Sequence, residues 1–127
     1  MKKILIVDDN RVCLSVAADL LQEAGYSVSL RQESIGTGAA VLRERPDIVL
    51  LDVSMPNLSG ESLVGILQEE IPDERRPVVL LYSERSVDEL KRLAEQCGAD
   101  GFVTKGGGGE ELLKAIDSAL QSKSAAK

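Results

Sequence analysis

Asp47-Ile48-Val49-Leu50-Leu51-Asp52 is the stretch that decides the fold. Four consecutive apolar residues, β-branched or leucine, stand between two carboxylates. Pro46 precedes them and cannot continue a helix. Met55, Pro56, Asn57, Ser59 and Gly60 follow, a run of turn and cap residues. A short unbroken apolar run predicts a strand buried on both faces, as in a parallel sheet covered by helices on either side. Sheets of that kind gather ligands at the carboxyl ends of their strands. Asp52 stands at that end.

Residues 4–7, Ile-Leu-Ile-Val, are a second apolar run and read as the first strand, ending in Asp8 and Asp9. Cys13, Val16, Ala17, Leu20, Leu21 and Ala24 then recur as a helical stripe, with Asn10 to cap its start and Gly25 its end. Residues 26–30 alternate polar and apolar, as a half-exposed edge strand does. Ser34 is placed to cap a second helix through about Glu44, weakened by Gly36 and Gly38. A third helix is predicted over 60–70, stopping before Pro72, and 73–76 is a charged surface loop. Residues 77–82 predict a fourth strand ending in Ser83. Ser86 with Glu89 makes a capping box for a fourth helix, whose apolar positions are Val87, Leu90, Leu93, Ala94 and Cys97, closed by Gly98. Residues 101–104 are a short fifth strand ending in Lys105, and four glycines follow. Glu110 and Glu111 favour the positive end of a last helix that buries Leu112, Leu113, Ile116, Ala119 and Leu120.

Strand and helix thus alternate five times. Right-handed crossovers place helices on both faces of one parallel sheet, and an edge-like second strand selects the order 2-1-3-4-5. The expected organisation is a single α/β domain over 1–121, with 122–127 as a frayed tail that lacks an apolar pattern.

At 127 residues the chain is long enough for one domain with its own core. The apolar fraction of 43% and charged fraction of 28% are those of an ordinary globular protein. A net charge of −6 argues against nucleic acid as a direct partner. The absence of histidine removes the commonest general base and metal ligand, so that any metal is expected to be hard and bound by oxygen. Cys13 and Cys97 fall at apolar helical positions and read as small buried hydrophobes in a reducing compartment. The apolar run after Lys2 and Lys3 stops at Asp8, too short for a signal peptide, and no run is long enough for a membrane span. A cytoplasmic location without membrane contact is expected.

Function is read from what meets at one rim. Strands one and three are neighbours in this order, which crowds Asp8, Asp9 and Asp52 together, and Ser83 and Lys105 arrive on the same rim. Two carboxylates about 4 Å apart repel by about 4 kcal/mol at an effective dielectric of about 20. A divalent cation removes the conflict. Mg2+ suits the site, because it takes few carboxylates, keeps waters and shares a phosphoryl oxygen with the protein. A carboxylate beside Mg2+ and a lysine is also the equipment for an aspartyl phosphate. Singly, each residue has a bland reading as a turn, a cap or a solvated charge; their convergence carries the inference.

Ile6-Val7-Asp8-Asp9-Asn10, Leu50-Leu51-Asp52 with Met55-Pro56 and Gly60, Tyr82-Ser83, and Phe102-Val103-Thr104-Lys105 together resemble a response-regulator receiver domain of the bacterial chemotaxis regulator type. The resemblance covers essentially the whole chain and implies a flavodoxin-like, doubly wound fold. It implies that Asp52 is the phosphoacceptor, and that Asp8 and Asp9 hold Mg2+ with Asp52 and the backbone carbonyl of Ser54. Ser83 would hydrogen-bond the phosphoryl group, Lys105 would pair with it, and Phe102 would be an aromatic switch that turns inward when Ser83 moves. The implied donor is a phosphohistidine on a sensor histidine kinase or histidine phosphotransfer protein, and the implied recipient of the signal is an output protein. Two positions depart from the family pattern: Gly106 replaces the proline after the lysine, and Glu84 replaces a small residue after Ser83. A trans Lys105–Gly106 bond in a mobile glycine loop is expected, and Glu84 is expected to flank the route to Asp52. A phosphorylation-independent adaptor would lack some of these residues. A flavodoxin-like cofactor carrier would need small phosphate-cradling residues where Asp8 and Asp9 stand. A DNA-binding regulator would need an output domain.

Overall fold

The computed structural model describes residues 2–33, 35–53, 60–72 and 76–125, with the backbone alone for 60–63 and 122–125. The expected alternation is present: β1 (Lys3–Val7), α1 (Arg11–Glu23), β2 (Ser27–Arg31), α2 (Thr37–Glu44), β3 (Ile48–Leu51), α3 (Gly60–Glu70), β4 (Val78–Ser83), α4 (Val87–Cys97), β5 (Gly101–Thr104) and α5 (Gly108–Ala125). All five strands are parallel, in the order β2-β1-β3-β4-β5. β3 lies at the centre and is buried throughout, as its unbroken apolar run requires.

Because strand side chains alternate, each strand feeds two cores. Leu5, Val7, Val49, Leu51, Val79 and Leu81 pack with Val41 of α2, Val64 and Leu67 of α3, and Leu90 and Ala94 of α4. Ile4, Ile6, Ile48, Leu50, Leu80 and Val103 pack with Leu14, Ala17 and Leu21 of α1 and with Leu112 and Ile116 of α5. Helices therefore cover both faces.

Local sequence accounts for most helix ends. Asn10 caps α1, its Oδ1 accepting the N–H groups of Val12 at 3.0 Å and Cys13 at 3.1 Å. Ser86 caps α4 by accepting the Glu89 N–H at 3.2 Å, while its hydroxyl donates to the Glu89 carboxylate. Gly98 closes α4 at φ +82°, a left-handed position natural to glycine. The proposed Ser34 cap and most of the 73–76 loop lie outside the described residues.

Three expectations need correction. The stripe along α1 is rotated: Leu14, Ala17, Ala18 and Leu21 face the core, whereas Val16 is 63% exposed. The helix is apolar around most of its circumference, so composition leaves its phase open, and contact with β1 and β2 sets it. Cys13 and Cys97 are free but half-buried, on the flanks of their helices rather than in the core. The glycine run is not an open loop: Lys105–Gly107 forms a 3-10 turn, and Gly108 opens α5. α5 itself continues through Ala125.

Among the described residues no peptide bond is cis, as expected for Lys105–Gly106. Two of these glycines, Gly107 and Gly109, stand at close approaches. A Cβ on Gly107 would lie 2.6 Å from Cγ of Glu111, and one on Gly109 would lie 3.1 Å from Cδ2 of Leu20, where α5 meets α1.

Candidate functional site

Sheet register brings the acids together. Val7 pairs with Leu51, so Asp8 and Asp52 leave adjacent strands side by side. The Asp52 N–H donates to the Val7 carbonyl at 2.9 Å, and the Asp8 N–H to the Arg31 carbonyl at 3.0 Å. Asp8 is 1% exposed and Asp52 7%, while Asp9 is exposed. The three side chains offer carboxylate oxygens that all lie within 4.8 Å of one another. Ser83, 3% exposed, ends β4 and pairs with Thr104, so Lys105 directly follows the end of the neighbouring strand.

Lys105 reaches back into this cluster. Its Nζ lies 2.6 Å from Oδ2 of Asp8, and its side chain is only 13% exposed. Oδ1 of Asp8 accepts the Asn10 N–H at 2.9 Å, so both oxygens of Asp8 are engaged. Burial by itself lowers the Lys105 pKa, but the Asp8 hydrogen bond and the charges of Asp8 and Asp52 outweigh it and hold the group above the ordinary lysine range. The ammonium also sits 5.3 Å from the centre of the Tyr82 ring. Burial pushes the Tyr82 phenol up; Lys105 opposes this, and Cys13 and Asp8 add to it.

The donor set fits Mg2+. Oxygens on opposite sides of such an ion lie about 4.2 Å apart, twice its bond length of about 2.1 Å, and the cluster has nearly that span. Three carboxylates against the one Lys105 ammonium leave two negative charges, the charge a divalent cation neutralises. The Ser54 carbonyl lies outside the described residues.

Ser83 Oγ accepts the Arg85 N–H at 3.2 Å, which leaves its own proton available to donate. The Thr104 hydroxyl donates to the Arg85 carbonyl at 3.4 Å and ties that turn to β5. Glu84, in the same turn, is exposed. Phe102 pairs with Leu81 across the sheet and is half-buried against the α2–α4 core. Sequence reasoning missed Tyr82 as a neighbour of Lys105. Tyr82 was legible from parity, because it is in register with Val103, two residues before Lys105.

With this geometry, known proteins supply the context. The chain matches the response regulator receiver domain family over residues 4–117. It is 33% identical over 121 residues to protein PilH of Pseudomonas aeruginosa, covering 94% of this chain and 98% of that one. It is 34% identical over 116 residues to the gliding motility regulatory protein of Myxococcus xanthus, covering 91% of this chain but 15% of the relative. The chain thus spans only a small part of that longer relative. Among solved structures it superimposes on chemotaxis protein CheY4 of Vibrio cholerae with a TM-score of 0.84 at 28% identity, covering 94% of this chain and 99% of that one.

Proposed function

The chain belongs to the response-regulator receiver domain family, the phosphoacceptors of two-component signalling, and from that premise we propose that Asp52 is the residue that takes the phosphoryl group. The observation that carries this reading is the convergence at one sheet edge of three carboxylates within 4.8 Å, with Lys105 on Asp8 and Ser83 buried beside them.

A carboxylate oxygen of Asp52 attacks the phosphorus of a phosphohistidine on a sensor kinase or phosphotransfer protein. The new P–O bond forms as the P–N bond breaks, and the imidazole leaves and regains a proton. Asp8, Asp9, Asp52 and the Ser54 carbonyl would hold Mg2+, which when bound neutralises charge on the transferring oxygens. Asp9 is the better direct ligand of the first pair, since both Asp8 oxygens already have partners. Lys105 pairs with the incoming phosphoryl oxygens, and Ser83 donates its hydroxyl proton to one of them. Making that bond moves Ser83, and Phe102 turns inward and changes the face presented to an output protein. In this way the chain assists its own phosphorylation and dephosphorylation without acting on a separate substrate.

We place the reaction in the cytoplasm; among the described residues no helix is long and apolar enough to cross a membrane. Incubation with acetyl phosphate and Mg2+, followed by intact mass, tests the assignment. One phosphoryl group is expected on wild type and none on Asp52→Ala, with Asp9→Asn weakening Mg2+ binding. Unchanged labelling of Asp52→Ala, or full labelling in chelator, overturns it.

A further inference from the structure

Lys105 has an unusual mounting. Its side chain is long and flexible, and the residues after it, Gly106, Gly107, Gly108 and Gly109, have no side chains to brace it. The ammonium is therefore held by what it touches. Among the described residues its ammonium meets Oδ2 of Asp8 at 2.6 Å and the Tyr82 ring, whose centre lies 5.3 Å away. The second distance is within the reach of about 6 Å over which a cation is attracted to an aromatic face.

The ring is itself well anchored. Tyr82 lies in β4 between buried Leu81 and buried Ser83, in register with Val103, and packs against the core between the sheet and α1 and α5. A phenol is protonated at neutral pH in any case, and burial pushes this one further up, so the ring presents a neutral π face rather than an anion. Asp8 shares its charge with the acidic cluster, and its hold on Lys105 changes with whatever that cluster binds. The ring is neutral, so its attraction for the ammonium does not depend on the charge of that cluster.

We propose that Tyr82 is a positioning residue for Lys105: its ring holds the ammonium at the edge of the acidic pocket, ready for an anion arriving at Asp52. This rests on the reading of Lys105 as the partner of the phosphoryl group. Packing alone would make Tyr82 matter equally whether or not residue 105 carries a charge.

The test uses the full chain, with Tyr82→Phe and Tyr82→Leu made both in wild type and in Lys105→Met. One readout is the NMR signal of the Lys105 ε-methylene in lysine-labelled protein, which the ring current displaces from the exposed lysines. The other is the rate of labelling by acetyl phosphate with Mg2+. Tyr82→Phe keeps the face, so the displaced signal is expected to persist and the rate to stay within about twofold. Tyr82→Leu is expected to return the signal to the exposed position and slow labelling about three- to thirty-fold. In Lys105→Met the same Tyr82→Leu change is expected to leave the residual rate unaltered. Equal slowing in both backgrounds, a wild-type signal already at the exposed position, or a displaced signal surviving in Tyr82→Leu overturns the proposal. If wild type takes no label, the phosphoacceptor reading fails separately, and the NMR signal still decides whether Tyr82 holds Lys105.

Discussion

Replacing Lys105 by methionine keeps an unbranched stem beside Tyr82 and removes the ammonium, with its charge and its hydrogen bond to Asp8. The carboxylate it leaves, Asp8, is 1% exposed and 2.6 Å from the ammonium. At that separation and an effective dielectric of about 20 the direct attraction is about 6 kcal/mol. The ammonium's own lost hydration, with 13% of its side chain exposed, offsets part of this. Removing one partner from a buried pair costs about 3–5 kcal/mol. Asp8 keeps the Asn10 N–H on Oδ1, which argues for the lower end, about 3 kcal/mol in chelator at pH 7. With saturating Mg2+ the carboxylates have another counter-charge, and the loss is expected to shrink to about 1 kcal/mol. Folding and binding close a thermodynamic cycle, so the difference of about 2 kcal/mol must reappear as roughly thirty-fold tighter Mg2+ binding by the variant. Urea unfolding followed by circular dichroism, in chelator and in Mg2+, measures the first two quantities, and a calorimetric Mg2+ titration measures the third. Equal stability losses in the two conditions, or unchanged Mg2+ affinity, would refute the idea that Lys105 balances the charge of this cluster.

Exposed Glu84 is predicted to slow both labelling by anionic phosphodonors and hydrolysis of the product, through charge and bulk beside Ser83. Faster rates in both Glu84→Ala and Glu84→Gln, with the largest salt effect in wild type, would mark charge; faster rates in alanine alone would mark bulk; changes under about twofold in both rates of both variants would exclude a gate. Glu44 is held below its ordinary range chiefly by the Ser29 hydroxyl, against burial, with Lys3 and Arg43 adding to it. A lowered carboxylate pKa gives stability that is present at neutral pH and lost as pH falls through the folded value. Glu44→Gln should therefore cost about 1 kcal/mol at pH 7 in urea titrations, with the gap closing below about pH 4.5; a gap unchanged at low pH would contradict this. Gly98→Ala should lose about 1–2 kcal/mol, because φ is +82° and the new Cβ would lie 2.7 Å from Nε2 of Gln68. Thermal melts should show part of that loss recovered by adding Gln68→Ala, which removes the collision but not the backbone strain.

The sequence by itself determined the architecture, and the reason is local. The run Ile48-Val49-Leu50-Leu51 can only be satisfied by burial on both faces, and a strand so buried needs parallel neighbours and helices over them. Once five such units were in order, topology alone delivered Asp8, Asp52, Ser83 and Lys105 to one rim. Which side of α1 faces inward was not legible, because Val12, Cys13, Leu14, Val16, Ala17 and Ala18 put apolar atoms nearly all round the helix; contact with β1 and β2 buried Leu14, Ala17, Ala18 and Leu21. Nor could the chain announce that Lys105 grips Asp8, 97 positions away, or that the Tyr82 ring lies within reach of its ammonium. The four glycines suggested freedom; Leu20 and Glu111, packed against them, made them a turn and a helix start. Periodicity and propensity act over a few residues, whereas the partner of a charge and the phase of a helix are set by whatever distant segment packs against it.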